Sequence, residues 1–263
     1  MGTRLGKYAK NVPKCMLEFA GKTLLERQVQ TLRACGISDI VVARGYAAEK
    51  INMGGVTYRY NAEYAETNMA ATLMCAREDL LECRDYALVC YGDIIYEKRL
   101  VEKLMGCKAQ IGVLVDEGWQ EYWKARMQNW EEDVESLQIG REGNIFELGT
   151  PRCPLSQAHA RYIGLLKFSR DAIGKFVETF EENKREHWES NAPWMKSKSF
   201  KKAYMTCMLQ ALIDKGARAQ AVKVRHGWME FDTNEDYEKA DKWLQDGTIK
   251  RFFSIGNAGE GKA

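Results

Sequence analysis

Three apolar runs, at positions 40–43, 86–91 and 111–115, limit the folds open to this chain. Each is too short for a stable helix. Each stops at a glycine or an aspartate: Gly45-Tyr46, Gly92-Asp93 and Asp116. The segments between them carry a helical period, with apolar residues at 24, 25, 29 and 32 and again at 69, 73, 76 and 80. Positions 56–60 read as a further strand and 99–105 as a short helix. Strands alternating with helices predict βαβ units, hence an α/β fold with a Rossmann-like, mixed but mostly parallel sheet flanked by helices. Ligands of such sheets lie beyond the carboxyl ends of the strands. The residues at the three stops are therefore the first candidates for a site.

The second half has a different texture. Residues 133–148 alternate around Gly140 and Gly143-Asn144, which predicts a β-hairpin. Strands are expected at 162–168 and 219–224, with an extended segment at 228–232. Helices are expected at 170–183, 203–215 and 235–246. Thr233 is placed to cap the last of these, with Asp236 three residues on. The reading is one domain over 1–255, with a β-rich insertion at about 117–165 and a Gly-rich, disordered tail at 256–263.

Composition narrows the function classes. Thirty-nine basic residues against 37 acidic leave a net charge of +2, which gives no electrostatic case for nucleic acid. No apolar run approaches the roughly 20 residues that span a bilayer. The eight cysteines contain no CxxC pair, so zinc and disulfide scaffolds fit poorly and a cytoplasmic location is expected. A Walker A loop and a GxGxxG are both absent, and His159, His187 and His226 share no ligand spacing.

Two acidic positions suit a divalent cation. Asp93 follows a strand, and Asp232 ends the extended segment, which also carries Glu230 on the same face. Mg2+ takes one or two carboxylates plus substrate phosphates. A lone Gly-Asp step also occurs in ordinary turns, and Asp232-Thr233 also reads as a helix start. A third cluster is Asp116, Trp119, Trp123 and Arg126, whose spacing puts the last three on one helix face. That stripe is either packing or one wall of a pocket.

The order of short motifs supplies more. Gly2-Thr3-Arg4-Leu5, Pro13-Lys14, the run from Phe19 through Gly21-Lys22-Thr23 to Arg27, and Ala34-Cys35-Gly36-Ile37 resemble the amino end of nucleotidyltransferases. Further on come Asn61-x-x-Tyr64-x-x-Thr67-Asn68, Asp133-x-Glu135-Ser136-Leu137, Arg161-Tyr162-Ile163-Gly164-Leu165, Tyr204-Met205-Thr206 and Trp228-Met229-Glu230-Phe231-Asp232-Thr233. As a set these resemble the bacterial choline-phosphate and phosphonate cytidylyltransferases of the sugar-phosphate nucleotidylyltransferase superfamily.

The resemblance implies a reaction and a site. Asp93 and Asp232 would hold Mg2+ on CTP. Arg4 and Lys14 would neutralise the triphosphate, with Gly2, Thr3 and Gly92 beside it and Tyr46, Asn61 and Asn68 near the nucleoside. Asp116, Trp119, Arg126, Glu135, Tyr162, Trp228 and Glu230 would surround a small phosphoester or phosphonate acceptor, of the phosphocholine or 2-aminoethylphosphonate type. The acceptor's anionic oxygen would attack the α-phosphorus and pyrophosphate would leave, with no general base required. A homodimer is compatible with this reading. Two features depart from the pattern: Arg161 stands where Gln or Glu is expected, and the strand and glycines expected before Gly2 are missing. The rival readings are a sugar-1-phosphate nucleotidylyltransferase using UTP, GTP or dTTP, and a non-catalytic nucleotide-binding protein.

Overall fold

The computed structural model describes residues 5–255. The expectations for Gly2, Thr3, Arg4 and the 256–263 tail lie outside the described residues.

A short ribbon, β1 (Glu18–Phe19) with β2 (Lys22–Thr23), leads into α1 (Leu24–Ala34). Thr23 caps this helix: its hydroxyl accepts from the Glu26 amide, and the Glu26 carboxylate accepts from the Thr23 amide. Strands β3 (Val41–Arg44) and β4 (Thr57–Tyr60) form a parallel pair. The single helix expected at 68–83 is two, α2 (Met69–Met74) and α3 (Arg77–Glu82). The break is local in cause. The Thr72 hydroxyl and the Cys75 thiol bond the carbonyls of Asn68 and Ala71, competing with the helix ladder, and Ala76 leaves helical geometry at φ −100°, ψ 24°.

Next come β5 (Tyr86–Cys90), β6 (Ile94–Tyr96), α4 (Lys98–Met105), β7 (Ile111–Asp116) and α5 (Trp119–Arg126). The predicted hairpin is β8 (Glu135–Ile139) with β9 (Asn144–Pro151). It is followed by β10 (Arg161–Ser169), α6 (Arg170–His187), α7 (Met205–Asp214), β11 (Ala219–Val224), β12 (Trp228–Glu230) and α8 (Asn234–Asp246).

The six-stranded sheet runs β5-β10-β7-β11-β9-β8. The mixed α/β architecture agrees with expectation, but a mostly parallel sheet does not. Within this sheet β7–β11 is parallel and the other pairings are antiparallel. The reason is β10. It arrives from the second half of the chain and inserts antiparallel between β5 and β7, which the first 115 residues alone would set side by side. The hairpin of the insertion extends this sheet through β9–β11 rather than forming a separate layer.

Strand β7 is buried along its whole length because both sheet faces are covered. Val113 and Val115 face one core with Leu166, Phe176 and Leu209, while Leu114 faces the other with Leu165, Val222 and Phe231. Alternation along the strand assigns each side chain to its face. No helix among the described residues is long and apolar enough to cross a membrane.

Candidate active site

The site forms where β6 and β12 pair. Glu230 lies opposite Ile94, and the Phe231 amide donates to the Asp93 carbonyl at 2.9 Å. This antiparallel pairing sets Asp93 beside Asp232, residues far apart in sequence. Both carboxylates meet one cation. Lys14 Nζ donates to Asp93 Oδ2 at 3.3 Å and also bonds Asp232 Oδ1. Burial opposes the charge on Lys14, but the two carboxylates outweigh it and hold the ammonium above the ordinary lysine range. Gln28 supports the turn from beneath, its Nε2 donating to the carbonyls of Tyr91 at 2.8 Å and Ile94 at 2.6 Å.

A second charged group continues from β12. Arg126, 4% exposed, grips Asp236 with Nε at 2.7 Å and Nη2 at 2.9 Å, and donates from Nη1 to Glu230 at 2.5 Å. Asp236 is doubly employed, because its Oδ2 also accepts from the Asp232 and Thr233 amides at the start of α8. The capping box expected at Thr233 is thus present and tied to Arg126. Burial raises the Glu230 carboxyl above the ordinary glutamate range against the pull of Arg126, and the charges of Asp93 and Asp232 raise it further.

The third wall comes from the first residues of β10 and β8. Tyr162 meets Tyr91 edge to face at 5.7 Å. Gly164 makes this contact fit: at φ +80°, a Cβ there would lie 2.5 Å from Tyr91 Cγ. Burial pushes both phenols up, and the Glu135 carboxylate adds to the shift. Arg161 packs over the Trp123 ring at 4.5 Å and bonds Asp133 through its carbonyl at 2.7 Å and its carboxylate at 3.2 Å.

Lys14, Asp93, Arg126, Glu135, Tyr162, Glu230 and Asp232 are therefore drawn into one region. Others are engaged elsewhere. Trp119 and Trp228 are 2% and 1% exposed, in the aromatic core around Trp123 and Tyr122. The helical spacing of Trp119 and Trp123 on α5 marks packing. Asp116 is wholly buried, accepting from the Gly118 and His226 amides at 2.7 and 3.1 Å and from Trp228 Nε1 at 2.9 Å. It fastens the end of β7 to β12. Asn61 is 4% exposed, and its amide bonds Thr67, Thr72 and the Glu63 backbone, shaping its own loop. Asn68 donates to the Lys202 carbonyl. Tyr46 is 37% exposed and rests on Tyr64. Gly92 is exposed in the turn before Asp93, where a Cβ would make only ordinary contact with Cys15 at 3.5 Å.

Two supporting residues escaped the sequence reading as members of the site, Gln28 and Asp236, while Arg161 was singled out there as a departure from the acceptor pattern. Position 28 carried a signal. It lies four residues from Leu24 and from Leu32, on the buried face of α1, where a polar side chain needs a partner.

The buried Asp116 gives a pH-dependent stability. His226 is raised above its ordinary value by Asp116 first, with burial opposing and Glu121 adding. A raised folded-state value means that the charged ring stabilises fully below the unfolded value of roughly 6.5 and loses this contribution as pH rises through the folded value. The melting-temperature advantage over His226→Asn should therefore shrink between pH 6 and pH 9. A constant difference across that range would show that the ring is not charged in the fold.

The residues also suit Mg2+. Two hard oxygen donors already converge on a single cation, and no cluster of three or more candidate ligands exists among the described residues. The remaining positions would then fall to phosphate and water, the usual mode for this ion.

A sequence profile of the MobA-like NTP transferase domain matches residues 1–148. The CTP:phosphoglutamine cytidylyltransferase of Campylobacter jejuni is 33% identical over 245 residues, covering 90% of this chain and 94% of that protein. Among solved structures, the CTP:phosphocholine cytidylyltransferase of Streptococcus pneumoniae superposes with a TM-score of 0.66 at 20% identity, covering 92% of this chain and 94% of that one. The inositol-1-phosphate CTP transferase of T. maritima gives a TM-score of 0.64 at 16% identity, covering 97% and 94%. The structural likenesses show a shared fold.

Proposed function

We propose, for a chain that belongs to the MobA-like NTP transferase family and is a nucleotidyltransferase, that it moves a cytidylyl group from CTP to a small phosphorylated or phosphonylated acceptor. The observation that carries this reading is the meeting of Asp93 and Asp232 on one cation, next to the Glu230–Arg126 pair. The names of the C. jejuni and S. pneumoniae relatives support cytidine as the base.

An acceptor oxygen, already anionic at neutral pH, attacks the α-phosphorus of CTP. A new P–O bond forms, the bond from the α-phosphorus to the α–β bridging oxygen breaks, and pyrophosphate leaves with that oxygen and the electron pair. The obstacle is repulsion between two anions, so charge neutralisation is the main task. Asp93 and Asp232 would hold Mg2+, which when bound supplies positive charge to the triphosphate. Lys14 keeps a full positive charge beside them, and Arg4 would add another. Glu135 and Glu230 give the acceptor side counter-charges for an ammonium group, as in 2-aminoethylphosphonate or phosphocholine. The half-buried rings of Tyr91 and Tyr162 line that side, while the tryptophans lie in the core.

The test is pyrophosphate release with CTP, UTP, GTP and dTTP, each against ammonium-bearing phosphoesters, aminoethylphosphonate and sugar 1-phosphates. CTP with an ammonium-bearing acceptor should be fastest. Faster turnover of a sugar 1-phosphate with another nucleotide would overturn the proposal. Binding of Mg2+-CTP without turnover on any acceptor would favour a non-catalytic protein.

A further inference from the structure

We infer that Asp236 is a positioning residue for the transfer. Its carboxylate holds the backbone that carries Asp232 and, through Arg126, the carboxylate of Glu230. One buried side chain thus sets the metal side and the acceptor side relative to each other. This rests on the function proposed above, in which Asp232 holds the metal and Glu230 faces the acceptor.

Asp236 makes more hydrogen bonds than its helix requires. It occupies the third position of α8, where a capping box needs one acceptor for the Thr233 amide. It meets four N–H donors instead: Thr233 N at 2.8 Å, Asp232 N at 3.0 Å, and Arg126 Nε and Nη2 at 2.7 and 2.9 Å. An ionised carboxylate has acceptor sites for about four such bonds, so this one is fully used. The cap explains the Thr233 bond alone. The other three run toward the site.

The backbone between the two functional carboxylates is fastened at every amide. Glu230 N donates to the Tyr122 hydroxyl at 3.1 Å, Phe231 N to the Asp93 carbonyl at 2.9 Å, and Asp232 N and Thr233 N to Asp236. Strand β12 ends at Glu230, so Asp232 lies beyond the ladder, and the Asp236 carboxylate supplies the bond that a partner strand would otherwise make. Arg126 extends this hold to the other carboxylate. Its guanidinium is planar and rigid, with two N–H groups on Asp236 and Nη1 on Glu230 at 2.5 Å, so the places of Glu230 and Asp236 are tied. Asp236 and Arg126 are both buried, so neither contact is shared with water. A metal-binding carboxylate depends on the groups that orient it, and losing one costs about tenfold to a hundredfold in metal affinity or activity.

Mn2+ binding separates positioning from stability. The free ion is followed by electron paramagnetic resonance on the full chain, with a CTP analogue whose α–β bridge is a methylene group, so that nothing turns over. Asp236→Asn sets an NH2 group against a donor in either orientation. Asp236→Glu keeps the charge and a usual capping residue but moves the carboxylate by one methylene. Each should weaken Mn2+ binding by about tenfold to a hundredfold and, in assays with CTP, raise the acceptor KM. Thr233→Ala is the control. It removes the hydroxyl that accepts from the Asp236 amide at 3.1 Å, weakening the start of α8, yet leaves Asp236 on the Asp232 amide. It should lower the urea midpoint and leave Mn2+ affinity nearly unchanged. Wild-type Mn2+ affinity in either folded Asp236 variant, or an equal loss in Thr233→Ala, would overturn the inference. The wild-type protein gives a further check: the Asp232 amide should exchange with solvent slowly before any ligand is added, and exchange at the rate of an open loop would equally overturn it. If Mn2+ binds as expected but no acceptor is cytidylylated, the function proposed above fails and the positioning of Asp232 stands. If the wild-type protein binds no Mn2+ with the analogue, the metal assignment and this inference fail together.

Discussion

Asp93→Asn and Asp232→Asn are each expected to lower turnover by at least about a hundredfold, the scale of removing a principal charge stabiliser from a transition state. Both carboxylates are near the surface, at 23% and 19% side-chain exposure, so folding should change little. Either change also removes one of the two charges holding Lys14. The defect should therefore grow at limiting Mg2+, because the remaining carboxylate must hold the ion and answer the lysine. Initial rates across a Mg2+ titration check this, with circular dichroism confirming the fold. Near-normal turnover of either variant at low Mg2+ would remove that residue from the site.

The second large effect concerns stability. Arg126→Met should cost about 3–5 kcal/mol, the range for removing one partner of a buried ion pair. Asp236 would be left buried at 3% side-chain exposure without its guanidinium, and Glu230 would lose its 2.5 Å contact. The cost arises from the stranded charges rather than from the lost attraction. Neutralising them as well, in Arg126→Met with Asp236→Asn and Glu230→Gln, should recover part of it. Urea unfolding midpoints decide the matter. A loss below about 1 kcal/mol for the single change would mean that the group is solvated in solution.

These two groups differ in how far the sequence disclosed them. The strands at Tyr86–Cys90 and Ile111–Asp116 were legible because each reads as a continuous apolar run, and Ala219–Val224 because its apolar residues are interrupted only at Gln220 and Lys223. The cap at Thr233 was legible because its chemistry is local. The insertion of β10 between β5 and β7 was not, because periodicity describes a strand and not its neighbours. Strand β6 was missed for another reason. Ile94–Tyr96 is three residues long, too short for any period, yet it carries Asp93 to Asp232. The two carboxylates were identified by chemistry and by resemblance, and their meeting required the pairing.

Asp116 and the tryptophans show the opposite error. An aspartate at a strand end fits a cleft ligand, but Asp116 is wholly buried and bound to the fold through Trp228 and His226. Trp119, Trp123 and Arg126 share a helix face as their spacing required. That face turns toward Tyr122, Trp228 and Asp236, so of the three Arg126 alone reaches the site, through Glu230. Spacing determines which residues share a face and leaves open what that face meets.

The central claim is chemical: an acceptor oxygen attacks the α-phosphorus of CTP at the Asp93–Asp232 cleft. Transfer to an acceptor whose phosphate oxygens are labelled with oxygen-18 tests it most directly. Phosphorus NMR and mass spectrometry should find the label in the bridge between the acceptor and α-phosphorus atoms of the product and none in pyrophosphate, with the product lost in Asp232→Asn. Label in pyrophosphate, an unlabelled bridge, or equal product formation by Asp232→Asn would contradict the account.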